Sequence, residues 1–69
     1  MKIETRTLEN KIARSAMNYK DVARLAGITV KTLQAARNGS EIRTATAGRI
    51  AAALGVDVEE LTKEQRNNG

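Results

Sequence analysis

The sequence predicts an all-α domain, a compact bundle of five short helices, and three observations carry that expectation. Apolar residues recur at spacings of three and four, glycines at 27, 39 and 55 punctuate those runs, and only Ile3-Glu4-Thr5 hints at strand-like alternation.

The first helix is expected over 7–16. There Leu8, Ile12 and Ala16 fall at i, i+4 and i+8, Ala13 joins their stripe, and Glu9, Asn10, Lys11 and Arg14 take the other side. Asn18, followed by an acid at Asp21 in front of Val22 and Ala23, reads as the N-cap of a second helix over 19–26. Gly27 ends it, because glycine adopts the left-handed conformation without a Cβ clash, and Thr29 offers its hydroxyl as the next cap. A third helix follows over 30–38, stopped by Asn38-Gly39-Ser40. Thr44 is expected to cap a fourth over 45–54, with Ala47, Ile50, Ala51 and Leu54 inward and Gly55 as the stop. Asp57 with Glu60 forms a capping pair that opens a fifth over 58–63, carrying Val58 and Leu61. Residues 1–6 read as a flexible arm, 7–63 as one domain and 64–69 as a frayed tail.

Composition narrows the function. At 69 residues the chain is one domain, of a size at which a core gives only about 3–5 kcal/mol without staples. Without Cys or His it lacks thiolate metal sites, thiol nucleophiles and the usual general base, so no enzymatic activity, metal or cofactor is expected. The longest apolar run, 50–56, is far short of the roughly 20 residues that cross a bilayer, and the polar start over 2–6 has no signal-peptide character. A cytoplasmic protein is expected, with no membrane partner and no small-molecule ligand. Ala occurs at eleven positions and Tyr19 is the sole aromatic, so the core is lean and a second copy of the chain is a natural remedy. The net charge of +4 divides unevenly: residues 1–49 carry +6 and residues 50–69 carry −2. A basic front is the footprint of a surface that meets phosphate, and equally that of a solvated charged face.

The informative segment is a helix, a three-residue turn containing Gly27, and another helix. Two helices joined so tightly cross steeply, with Ala23 at the contact and Val22, Ala26, Ile28, Leu33 and Ala36 closing the wedge. At 100° per residue, Thr32, Leu33 and Ala36 share one side of the third helix, leaving Val30, Lys31, Gln34, Ala35 and Asn38 opposite. A helix fits the DNA major groove, where Lys donates to guanine, Gln pairs with adenine and the methyls of Val or Ala meet thymine. An αα-corner with a solvated polar face in an ordinary helical bundle is the bland alternative.

Through Val22-Ala23, Gly27-Ile28-Thr29, Leu33 and Asn38-Gly39, the sequence resembles the lambda-repressor-like helix-turn-helix superfamily, in its Cro/repressor (Xre-like) form. Residues 50–56 followed by Val58-Glu59-Glu60-Leu61 resemble that family's closing helices, so the likeness covers about residues 8–62. It implies a third helix lying in the major groove and a homodimer on a palindromic operator. By position, Thr29, Val30, Lys31, Gln34 and Ala35 fall where the family contacts bases. Tyr19, Asn38, Ser40, Arg43 and, more loosely, Lys20 fall where it contacts phosphate. Two departures stand out. Many members have Gln where this chain has Tyr19. Many also have Glu where Arg37 stands, paired with an Arg of the first helix, where Ile12 and Ala13 lie at about that point.

Residues 21–29 are also similar to the start of lactose-repressor-family headpieces, and Thr32-Leu33 to winged-helix mercury-resistance regulators and excisionases. The chain has a helix before the first pattern and an Ala-rich helical stretch where the second needs a hairpin. Lys2 and Arg6 are candidates for a minor-groove arm, against plain terminal disorder. Val56, Val58 and Leu61 are candidate dimer contacts, against simply covering the chain's own core. Leu25 lies on the open side of its helix. Glu59 and Glu60 suit the dipole at a helix start and have no acid-base role. The resulting expectation is a sequence-specific DNA-binding transcriptional regulator, a bacterial or phage-encoded repressor or mobile-element regulator associated with the nucleoid. The alternatives are a protein-interaction module of the same fold, such as an antitoxin or anti-regulator, and an excisionase-like architectural DNA binder. A chain ending so soon after its helix-turn-helix is expected to be regulated by concentration, dimerisation or a protein partner.

Overall fold

Local capping chemistry sets where the helices begin and end. A computed structural model describes residues 1–62, so the tail expected to fray lies outside the described residues. The helices are α1 (Thr5–Ser15), α2 (Tyr19–Ala26), α3 (Val30–Arg37), α4 (Thr44–Leu54) and α5 (Val58–Thr62), with no strand among the described residues. The Asn18 carboxamide accepts from the Asp21 N–H at 2.9 Å, and the Thr29 hydroxyl accepts from the Thr32 N–H at 3.1 Å. α2, α3 and α4 then close alike. The N–H of the residue after the glycine reaches five residues back, Ile28 to Ala23, Ser40 to Ala35 and Val56 to Ala51, each at 3.0 Å. Gly27 sits at φ 72°, Gly39 at φ 84° and Gly55 at φ 69°.

Four boundaries differ from the sequence expectation. α1 starts at Thr5 rather than residue 7, because Glu4 caps it: its carboxylate accepts from the Thr7 N–H at 2.9 Å and the Thr7 hydroxyl at 3.2 Å. It also ends a residue early. Ala16 is the left-handed C-cap at φ 59°, and Ala13 is exposed, so neither extends the buried stripe, which runs through Thr7, Leu8 and Ile12. α3 stops at Arg37, with Asn38 as its C-cap. α4 begins at Thr44 itself, while Arg43 takes the cap position without a side-chain hydrogen bond. Ala16→Gly is a direct check of this geometry. Relieving a Cβ in the left-handed region, less the added freedom of the unfolded chain, is expected to raise stability by about 0.5–1 kcal/mol in a thermal melt.

The core is small side chains around a few large ones. Leu8, Val22, Leu33, Ile50 and Leu61 are completely buried, with Ala23, Ala26, Ala36, Ala47 and Ala51 letting the helices approach. α4 packs chiefly on α2, α3 packs on α1 and α2, and α5 closes α1 against α4. Residues 1–6 do not form the expected free arm. Ile3 is buried, the Glu4 N–H donates to the Leu61 carbonyl at 2.8 Å, and the Ile42 N–H donates to the Met1 carbonyl at 2.8 Å. The Met1 ammonium meets the Glu41 carboxylate. That contact, first by its hydrogen bond and then by its charge, holds the Glu41 carboxyl below its ordinary range. Asp57 and Glu60 form half of the expected capping pair: the Asp57 N–H donates to Glu60 at 3.0 Å, and this bond lowers the Glu60 carboxyl below its usual value.

Candidate nucleic-acid interface

The turn between α2 and α3 follows from Ala23 and Gly27. Ala23, 2% exposed, lets the two helices cross closely, and the left-handed Gly27 redirects the chain so that Thr29 can cap α3 at once. The crossing buries Leu33 and Ala36 and turns Lys31, Gln34 and Asn38 to solvent. Neither the Lys31 nor the Gln34 side chain has a hydrogen-bond or ion-pair partner among the described residues.

The other expected base-contacting residues are less free. Val30 is half-buried and packs on the core, and Ala35 is half-buried. The Thr29 hydroxyl is engaged with the Thr32 N–H and lies 2.9 Å from the Thr32 hydroxyl. An open hollow runs beside α3, where Lys31, Thr32, Ala35, Arg43 and Thr46 are joined by Ile42 and by one carboxylate, Glu41. Thr46 is a member of this face that the sequence reading did not single out.

Of the expected phosphate-contacting residues, Lys20, Asn38, Ser40 and Arg43 are exposed. Tyr19 is different. Its ring packs on the core and its hydroxyl is buried with no hydrogen-bond partner among the described residues, so as folded here the hydroxyl does not face a phosphate. Arg49 was also missed: its guanidinium nitrogen lies 3.0 Å from where a Cβ on Gly27 would stand, placing a cation over the turn.

The departure noted at Arg37 resolves into a reversed ion pair. Arg37 Nε lies 3.5 Å from Glu9 Oε2, so α3 supplies the cation and α1 the anion, and Glu9 rather than residue 12 or 13 occupies the facing position. The Thr5 hydroxyl also donates to the Arg37 carbonyl, docking the start of α1 on the end of α3. Among the candidate dimer contacts, Leu61 is completely buried in the chain's own core, and Val56 and Val58 are half-buried against it. Of the two large apolar side chains left in solvent, Met1 and Leu25, Leu25 is the more open, at 62% exposure. Among the described residues no His, Cys, Asp or Glu cluster could hold a metal ion, and no helix is long and apolar enough to cross a membrane.

A tight helix-turn-helix presenting a polar, unpartnered outer face, inside a five-helix bundle, defines the class of helix-turn-helix DNA-binding domains. Within that class, the chain belongs to the Cro/C1-type HTH DNA-binding domain family, whose model matches residues 7–64. No curated protein matches it significantly. Among solved structures it is similar to HppE in three forms. Apo-HppE aligns with a TM-score of 0.74 and 30% identity over 93% of this chain and 36% of that one. The Fe(II) form with substrate gives 0.74 and 30% over 93% and 37%, and the Fe(II) form gives 0.73 and 28% over 94% and 36%. The chain thus spans little more than a third of the HppE chains it matches.

The buried Tyr19 hydroxyl gives a check on the site. Tyr19→Phe keeps the ring and removes an unpaired buried group whose desolvation costs about 1–3 kcal/mol. The variant is expected to melt no lower than the parent and to bind DNA equally well; a drop in affinity would reinstate the hydroxyl as a contact.

Proposed function

We propose that the chain is a sequence-specific double-stranded-DNA-binding transcriptional regulator, a small Cro-like repressor or mobile-element regulator that reads the major groove with α3. The observation that carries this reading is the pair Lys31 and Gln34, both exposed on α3 with side chains that have no partner among the described residues. Side chains of this chemistry discriminate bases, Lys at guanine and Gln at adenine, with Thr29, Val30 and Ala35 shaping the apolar part of the contact. Lys20, Asn38, Ser40 and Arg43 set position on the phosphates. The protein acts without catalysis, metal or cofactor, in the bacterial cytoplasm, as a homodimer on a palindromic operator.

The alternative, a protein-interaction module of the same fold, has one observation in its favour, the exposed Leu25 on α2. Gel shifts on the DNA upstream of its own coding sequence and on a scrambled duplex, at two salt concentrations, separate the two. A specific reader keeps its preference as salt strips the phosphate contribution. Weak binding that is blind to sequence and lost at the higher salt overturns the reader in favour of the interaction module.

A further inference from the structure

Three helices meet where Glu9 of α1, Tyr19 at the start of α2 and Arg37 at the end of α3 come together. The Arg37 guanidinium carbon lies over the Tyr19 ring, 5.9 Å from its centroid, at the outer reach of a cation–π contact. Its Nε is buried and lies 3.5 Å from Glu9 Oε2 without forming a hydrogen bond. The side chain as a whole is 43% exposed, and its terminal nitrogens donate to nothing among the described residues. A half-exposed pair of this kind contributes little to stability. Glu9 therefore holds the guanidinium by charge while leaving its donors unused.

The corner lies at the start of α2 and the end of α3, one residue along the chain from two expected phosphate contacts, Lys20 and Asn38, both exposed. Asn18 caps only the Asp21 N–H by its side chain, so the first amides of α2 add their positive end to the corner. A guanidinium seated over a ring, with terminal donors unused among the described residues, suits a phosphate, which accepts two parallel N–H bonds. We propose that Arg37 is a further DNA-backbone contact, held ready on the Tyr19 ring, and that Glu9 opposes DNA binding by occupying its charge and repelling the phosphate. The proposal rests on the DNA-binding reading above.

A phosphate contact acts on every sequence, so a random-sequence duplex serves as probe. Fluorescence anisotropy over a salt series compares the parent with Arg37→Gln, Arg37→Lys, Glu9→Gln and, as a charge control on α5, Glu59→Gln. Arg37→Gln is expected to weaken binding several-fold and to reduce the salt slope by about one, while Arg37→Lys keeps the slope. Glu9→Gln is expected to tighten binding several-fold, and Glu59→Gln to leave it unchanged. If Arg37→Gln and Glu9→Gln both weaken binding, or Arg37→Gln leaves the slope intact, the pair is structural and the proposal fails. Should Arg37→Gln not fold, Glu9→Gln decides alone, tightening for and weakening against. A parent chain that binds no duplex at any salt overturns the DNA-binding reading itself, an outcome distinct from these.

Discussion

Leu33→Ala is expected to leave the chain largely unfolded at 25 °C. Leu33 is completely buried on the inward side of α3, in one cluster with Val22, Ala23, Ala36 and Ile50. Truncating a buried Leu to Ala costs about 2–5 kcal/mol, with the larger values where surroundings cannot collapse into the space. Here several neighbours are alanines, whose Cβ is fixed by the backbone, so little side-chain rearrangement can fill the hole. The loss is comparable to the whole stability of about 3–5 kcal/mol that a chain of this size commands. Circular dichroism at 222 nm during a thermal melt reads the result directly. A melting temperature only a few degrees below the parent's would mean that the small-residue packing carries far more stability than its buried area suggests.

The second large effect concerns DNA. Lys31→Ala and Gln34→Ala are each expected to cost about 1–3 kcal/mol of affinity for the preferred site, a loss of about 5- to 150-fold, and to relax specificity at one base position. Because both side chains are exposed and bond to nothing within the described chain, the same variants should melt within a few degrees of the parent. Arg43→Ala makes the contrast. It is expected to weaken specific and scrambled sequences alike and to lower the salt slope by about one. Titrations on both duplexes, with melts of each variant, separate the two roles. Equal losses on both sequences for Lys31→Ala and Gln34→Ala would remove α3 from the groove.

What the sequence made legible is what short-range chemistry decides. Asn18, Gly27 and Thr29 act within four residues of themselves, and α2, with the position where α3 starts, came out as expected for that reason. The bends at Gly39 and Gly55 were legible in the same way. Ala16 was not, because alanine carries no preference for the left-handed conformation it adopts. Residues 1–6 looked like a loose arm because nothing near them in sequence asks Ile3 to be buried; the residues that cover it come from elsewhere in the chain. The candidate site divides along the same line. Helical periodicity was enough to place Lys31, Gln34 and Asn38 outward. Val30, at the flank of the stripe, turned out half-buried. The placement of Tyr19 under Arg37, and of Arg37 against Glu9, depends on how three helices dock, which no local pattern encodes.

The bond from the Glu4 amide to the Leu61 carbonyl joins the first turn of the fold to its last helix. Its partners lie at opposite ends of the described chain, so it is made only while the start of α1 and the end of α5 are docked on each other. That makes a single proton a gauge of completeness. In a native-state hydrogen-exchange experiment the Glu4 amide reports whether α5 is seated. Neighbouring amides in α1 instead report opening of their own helix. During synthesis the same bond cannot be made until residue 61 has been added.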